Sequence, residues 1–438
     1  MTDQAARYPW TCTRQGYPHW TRTCVPPTEF IICLILCLAS DACVTGNTCP
    51  DTSNPDVKHF DIRIPETEVP DSETTYVCQQ FKVPDEETYH AVAFEPLIDN
   101  RDVMHHLLLF GCAEDIGDMN PHQCSGIDQR CQSWLAQWTV GVKGQVCAHP
   151  GTGIRFGRGS YSFMSLQIHW NNALKAKNMS DNSGMRVYYT RKLRQYDAGN
   201  VQIGQTNLDI PPGATNHPET GGCSGNCTKN LLPHSLFLTR TYIHMHYLGV
   251  RGVLEVHRDG KLIQTVAEDP MYQYQLSPIH VHSTPVEIQP GDEMRLTCYF
   301  DTKTGDRHRN HHVYNGEGSS SEMCFAFVTY YPRVDDLDQC VQFAEYDVCG
   351  QQGERSYGDC TFPQFFGEAR EILIPDIIEH CRNETKESEC QSECTRSLES
   401  LRRHPCMKGR LAVYAKLNML SKVDGWKWIN PLLRRVDC

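Results

Sequence analysis

The chain predicts an all-β protein: two tandem antiparallel β-sandwich domains, jelly-roll-like, with a Cys-rich C-terminal tail. Three observations carry this. From about Asp51 to Tyr331, short alternating segments are broken by Gly, Pro, Asn and Asp, the rhythm of paired strands rather than helices. The 23 cysteines stand singly along 438 residues, as disulfide frameworks do and tandem CxxC zinc ribbons do not. After Pro332 the texture changes to mixed charge, dense cysteine and helix-like stretches such as Ser397–Arg403.

Taken in order, residues 1–42 read as a signal peptide or signal anchor. Phe30 to Ala39 is a ten-residue apolar run, too short for a ~20-residue membrane span. It suits an h-region, with Ser40-Asp41-Ala42 as a small-residue cleavage site and Arg7, Arg14 and Arg22 before it. A first domain follows over 51–195, with strands expected at Val92-Ala93-Phe94, Leu107 to Phe110 and Met185 to Tyr189. Gln132 to Val140 reads as one helix or a loop. The boundary falls near Leu193 to Gly204, ahead of the turn-rich Ile210-Pro211-Pro212-Gly213. A second domain over 196–340 has strands expected at Val253 to His257, Met294 to Phe300 and Cys324 to Tyr330. Residues 341–438 form the tail.

The formal net charge of −12 argues against nucleic acid, which needs a basic footprint. It suits small cationic substrates such as amines, although a mildly acidic surface usually serves solubility. Sequons at Asn178, Asn226 and Asn383 mark glycosylation positions and, with the cysteines, place the chain on the secretory route. The expected location is a secretory vesicle lumen or the extracellular space. No second apolar run lies near the C-terminus, so no firm membrane association is expected once the signal is removed; an oligomer is compatible with the sequence.

Chemistry is carried by His105-His106, His169, His244-Met245-His246 and Met323, each within an apolar, strand-like stretch. Imidazoles alone suit zinc or any transition metal. A thioether shifts the choice toward copper, because soft sulfur selects Cu(I) while imidazole tolerates both oxidation states. The boundary divides the ligands into two sets of three: His105, His106 and His169, then His244, His246 and Met323. On a strand, His244 and His246 face the same side. His105 and His106 do not, so joint ligation needs a bulge or different ring nitrogens. Each motif alone has an ordinary reading: outward polar residues for HxH, and a core filler for Met323. His280-Val281-His282 repeats the HxH spacing with no further ligand and reads as structural. His308, His311 and His312 read as a solvated loop. There is no GxSxG, HExxH or P-loop, which removes the common hydrolase and nucleotide readings.

The stretches around these ligands resemble the copper type II, ascorbate-dependent monooxygenases. The likeness lies in Thr74-Thr75-Tyr76-Val77-Cys78, His105 through Cys112, Leu166-Gln167-Ile168-His169-Trp170, His244 through Gly249, and Glu322-Met323-Cys324. Ser183 to Thr190 looks particularly like the amine-hydroxylating branch. The resemblance covers roughly 55–340 with all six ligand positions filled in order. It implies two copper ions per chain, ascorbate as electron donor and O2 as co-substrate. His105, His106 and His169 would hold the electron-transfer copper. His244, His246 and Met323 would hold the copper where oxygen is activated and a C–H bond attacked. Tyr76 matches a catalytic candidate of the family, and reads equally well as a strand aromatic beside Cys78.

The same resemblance implies disulfides Cys78–Cys124, Cys112–Cys131, Cys223–Cys340 and Cys298–Cys324, with Cys227 bonded into the tail, for example to Cys406. Cys147 has no counterpart. Two departures stand out. The peptide-hydroxylating branch holds its substrate carboxylate with Arg, Asn and Tyr where this chain has Tyr242, Phe325 and Phe327; a buried carboxylate lacking partners is costly, so peptide amidation is disfavoured. Dopamine β-hydroxylase-type chains also carry an N-terminal β-domain, for which residues 43–54 have no room. The implied reaction is hydroxylation of a small amine, at the benzylic carbon of a phenylethylamine such as dopamine or tyramine, by two sandwiches facing each other across a water-accessible cleft. The alternatives are another hydrophobic substrate and a non-catalytic secretory copper-binding protein.

Overall fold

The computed structural model describes residues 48–124, 128–131, 133–140, 142, 144–274, 277–316, 318, 320–350, 356–357, 359–381, 393–416, 420, 423 and 425–433. The expected signal segment and Asn383 lie outside them. Among the described residues, no helix is long and apolar enough to cross a membrane.

Two sandwiches are present. In the first, one sheet runs Val57–Arg63, Gly184–Thr190, Thr88–Leu97, Thr152–Gly157, Tyr196–Asp197, with Val146–Cys147 added beside Thr88–Leu97. The facing sheet runs His122–Gln123, Thr74–Lys82, Phe163–Asn171, Met104–Cys112, Ser133–Thr139. Between them lie Ile62, Phe94, Leu107, Leu109, Phe156, Leu166, Ile168 and Val187. The second sandwich sets Ile279–Ile288, Leu236–His244, Cys324–Tyr331, Gly199–Gln205, Gln339–Phe343 and Tyr346–Cys349 against His217–Cys223, Glu293–Phe300, Gly249–Arg258 and Lys261–Asp269. Its core includes Ile203, Leu238, Leu254, Leu296, Phe300, Ala326 and Val328.

Period-two alternation decides which side chains face the site. In Phe163–Asn171, Met164, Leu166, Ile168 and Trp170 enter the first core, which sends Ser165, Gln167 and His169 to the opposite face. That face is buried as well, with Gln167 lining the cavity shared with the second sandwich. In Cys324–Tyr331, Cys324, Ala326, Val328 and Tyr330 fill the second core, leaving Phe325 and Phe327 on the outer side. The strand expectations at Val92–Phe94, Leu107–Phe110, Met185–Tyr189, Val253–His257, Met294–Phe300 and Cys324–Tyr330 all fall within strands.

Within the span expected as one helix or a loop, Ser133–Thr139 is a strand paired with Met104–Cys112. Leu135, Ala136 and Trp138 enter the first core. Trp134 faces the second sandwich, its ring centroid 4.0 Å from that of Phe327, and Asn200 donates to the Trp134 and Leu135 carbonyls. A strand with both faces covered loses its alternation, and periodicity then cannot separate it from a helix.

Disulfides join Cys78 to Cys124, Cys112 to Cys131, Cys223 to Cys340 and Cys298 to Cys324. The last two each tie one sheet of the second sandwich to the other. Cys227 bonds Cys349, not Cys406, which is taken by Cys360. Cys349 lies on the sheet-edge strand Tyr346–Cys349, close to the helix Gly225–Leu231 that carries Cys227. Cys147 pairs with Cys49, stapling the chain before the first strand to the sandwich. The tail carries helices Phe362–Glu368, Ile374–Cys381 and Glu393–Arg403, the last including the expected Ser397–Arg403, with a Cys381–Cys394 bridge. Its apolar cluster contains Phe325, and Met323 and Phe327 pack against it.

Candidate metal centres and the cavity between them

The first histidine set sits on neighbouring strands of one sheet. His169 pairs directly with His106 on one side and with Tyr76 on the other. The register slips between His169 and Trp170, because Trp170 pairs with Met104. His105 is the extra residue, the bulge that joint ligation requires. With Met104 and Leu107 both in the core, the two intervening histidines are turned to the outer face together. The Nδ1 atoms of His105 and His106 lie 3.3 Å apart, and those of His106 and His169 3.4 Å apart. Ligand atoms from all three fit within 4.8 Å of one another. The Tyr76 ring stacks on His169 at 4.3 Å and 10°.

Burial keeps these imidazoles neutral, with smaller contributions from neighbouring histidines. The His105 ring is pushed down to about 4 and that of His169 to about 3, while His106 falls well below its usual value. Neutral imidazole is the ligand form. The buried His169 Nε2 has no hydrogen-bond partner among the described residues. An orphaned nitrogen in a cluster of neutral, convergent imidazoles fits a metal better than a structural role, which would satisfy it.

The second set lies where regular pairing ends. His244 closes the strand Leu236–His244 opposite Phe325. Burial holds its ring well below the ordinary histidine range, and lowers that of His246 against the pull of backbone partners. The His246 Nδ1–H donates to the Ser321 carbonyl at 2.8 Å, which fixes the tautomer and leaves Nε2 free as a donor to metal. Glu322, fully buried, accepts from the amides of His246 and Leu248, both at 2.7 Å, and of Met323 at 3.3 Å. Burial pushes its carboxyl up to about 8, opposed by those three amides. One side chain therefore ties the HxH segment to the methionine. Sequence reasoning missed Glu322; its position beside Met323, an acid at the head of the apolar run Met323–Val328, was the available signal.

The second set and His106 of the first line one cavity of about 150 Å³. Tyr76, His106, Trp134 and Gln167 line it from the first sandwich; Tyr242, His244, His246, Met323, Phe325 and Phe327 line it from the second. The expected cleft between the sandwiches is narrow and walled by aromatic side chains, and the sandwiches touch beside it. His105 lies 5.0 Å, ring to ring, from Tyr274 of the opposite sandwich, whose phenol is raised by burial and stays protonated. His280 and His282 are satisfied structurally by Asp269 and Thr241. His308, His311 and His312 are exposed.

Residues 60–177 match the N-terminal domain, and residues 196–353 the C-terminal domain, of the copper type II ascorbate-dependent monooxygenases. The chain belongs to that family. It is 32% identical to the dopamine beta-hydroxylase of Bos taurus over 301 residues, 65% of this chain and 48% of that protein. It is 31% identical to the tyramine beta-hydroxylase of Caenorhabditis briggsae over 323 residues, covering 70% and 53%. With the DBH-like monooxygenase protein 1 of Gallus gallus the identity is 28% over 314 residues, covering 67% and 50%. The chain spans about half the length of the curated relatives it matches.

Proposed function

We propose that this chain is a copper- and ascorbate-dependent monooxygenase that hydroxylates a C–H bond of a small, single-ring aromatic substrate, with the benzylic carbon of a phenylethylamine as the first candidate. The observation that carries the reading is the meeting of two unlike ligand sets at one cavity, lined by His106 from the first and by His244, His246 and Met323 from the second. His105, His106 and His169 would hold one copper, and His244, His246 and Met323 the other. Copper at such sites supplies one-electron redox chemistry and dioxygen activation. Overall, one oxygen atom enters the C–H bond and the other leaves as water, with two electrons from ascorbate and two protons.

The chain's own residues do the rest. Burial keeps all five imidazoles neutral and able to donate lone pairs. The Ser321 carbonyl and Glu322 hold His246 and Met323 in register. A chamber of about 150 Å³ is the size at which apolar cavities take up a single aromatic ring, and Trp134, Phe325 and Phe327 offer it ring faces. Tyr76, stacked on His169, is a further catalytic candidate. The disulfide framework, and the exposure of Asn178 and Asn226, support glycosylation and work in an oxidising secretory lumen.

A second reading concerns charge. Apart from the ligand histidines, none of the described residues lining the chamber is acidic or basic, and an ammonium buried without a partner is costly. This favours an uncharged aromatic over a phenylethylamine whose amine lies deep in the chamber.

Ascorbate-dependent oxygen uptake separates these readings, tested with tyramine, dopamine and the uncharged 4-ethylphenol. Turnover of the amines supports the first, turnover of 4-ethylphenol alone the second. No uptake with any substrate leaves a secretory copper-binding protein.

A further inference from the structure

Residues 270–278 connect Lys261–Asp269, in one sheet of the second sandwich, to Ile279–Ile288, in the other. Tyr272 and Ser277 of this connection brace the HxH segment. The Tyr272 hydroxyl donates to the Met245 carbonyl at 2.6 Å and accepts from the Met245 amide at 3.0 Å. Both backbone groups between the two histidines are thus satisfied by one buried side chain. Ser277 Oγ donates to the Ile243 carbonyl at 3.0 Å, bracing the residue before His244.

Between these two braces stands Tyr274, only 8% exposed. Its ring lies 6.0 Å from His244 and 5.7 Å from His246 in its own sandwich. The same ring lies 5.0 Å from His105 of the other sandwich, tilted by 30°, with its hydroxyl 3.5 Å from His105 Nδ1. One aromatic side chain therefore meets three of the five candidate imidazoles, across the boundary between domains. Tyrosine is well matched to such a contact, being rigid, with large apolar faces and a polar tip.

We propose that Tyr274 is a positioning residue that docks the second histidine set on the first. The proposal adds a residue to the function proposed above, and its functional meaning rests on that reading. The docking contact itself does not require metal. Without it the two sets would face water, and their separation would vary.

The test is carbethoxylation of the metal-free full chain by diethylpyrocarbonate, read histidine by histidine by mass spectrometry in wild type, Y274F and Y274A. The expected result is faster modification of His105, His244 and His246 in Y274A, by up to about tenfold for loss of one aromatic contact. Y274F, which keeps the ring, should stay near wild type, and His280 and His282 in the same sandwich should be unchanged in both variants. Wild-type rates at the three histidines in Y274A would overturn the proposal. So would an equal acceleration at His280 and His282, which marks loss of the fold rather than undocking. Copper content, measured separately, keeps the two readings apart. A chain that shows this footprint but binds no copper retains the docking contact and loses the metal reading. Two coppers per chain with an unchanged footprint does the reverse.

Discussion

The two histidine sets use the same side chain and are held in opposite ways. The first is built inside a sheet: His106 and His169 are cross-strand partners, and His105 joins them through one bulge. His106 and His169 are fixed by ladder hydrogen bonds, the bulged His105 by its carbonyl accepting from the Val140 amide at 3.0 Å, and all three by the core beneath. The second is built where the sheet runs out. His246 lies beyond the strand that ends at His244, and Met323 just before the strand that begins at Cys324. Its geometry comes from individual devices: Glu322 on three amides, Ser321 on the imidazole, Tyr272 on Met245, and the Cys298–Cys324 bridge. A site that only passes electrons gains from an unchanging ligand set. One that must admit oxygen and substrate gains from a weak ligand on irregular backbone, held by a few replaceable contacts. This is the division of labour the proposed function needs.

The largest expected effect breaks that division at its softest point. M323I removes the thioether while keeping an apolar side chain against the tail cluster that Met323 packs on. Turnover should be abolished, and the copper bound by His105, His106 and His169 should remain, read as metal content together with oxygen uptake. Normal hydroxylation by the variant would show that the thioether does not set the two sites apart.

E322Q should act one step further out. A glutamine keeps one acceptor oxygen and turns an NH2 toward a buried amide, leaving a backbone donor without a partner. The expected cost is about 1–3 kcal/mol, seen as a lower denaturant midpoint for the second sandwich. Unfolding of the first sandwich should not move, because its histidines depend on no comparable clamp. Equal loss in both would mean that the sandwiches unfold as one unit.

Much of the site was legible because metal ligands must be particular residue types. The alternation that buries Leu166 and Ile168 also sends His169 to the other face, and the need for a bulge at His105-His106 followed from period two alone. What stayed hidden depends on contacts between segments far apart in sequence. Ser133–Thr139 lost its strand signature because the second sandwich covers its outer face. The expected bond from Cys227 into the tail is present, but its partner there is Cys349, on an edge strand beside the short helix, and not Cys406. Tyr274 stands among tyrosines and prolines with nothing in its spacing to mark it, and only docking of the sandwiches places it on His105. The tail offered no chemistry in sequence, yet its apolar cluster forms the backing for Met323 and Phe327.

The smallest effect tests how much the first set owes to anything beyond its sheet. Tyr76 is the cross-strand partner of His169, and their rings are stacked at 4.3 Å. Y76F keeps the ring face and removes only the hydroxyl, so copper affinity at the first set should be unchanged if stacking is the whole of its role. Y76A removes the ring and should cost about 0.5–1.5 kcal/mol of local stability. That loss should appear as a modestly lower first-site affinity, with the sheet otherwise intact. If Y76F instead lowers turnover while leaving affinity alone, the hydroxyl has a part in the reaction, and Tyr76 is catalytic rather than a support. The two variants thus separate the readings that the sequence left level. They do so within the set held by regular sheet, where a small change in one ring is least obscured by backbone movement.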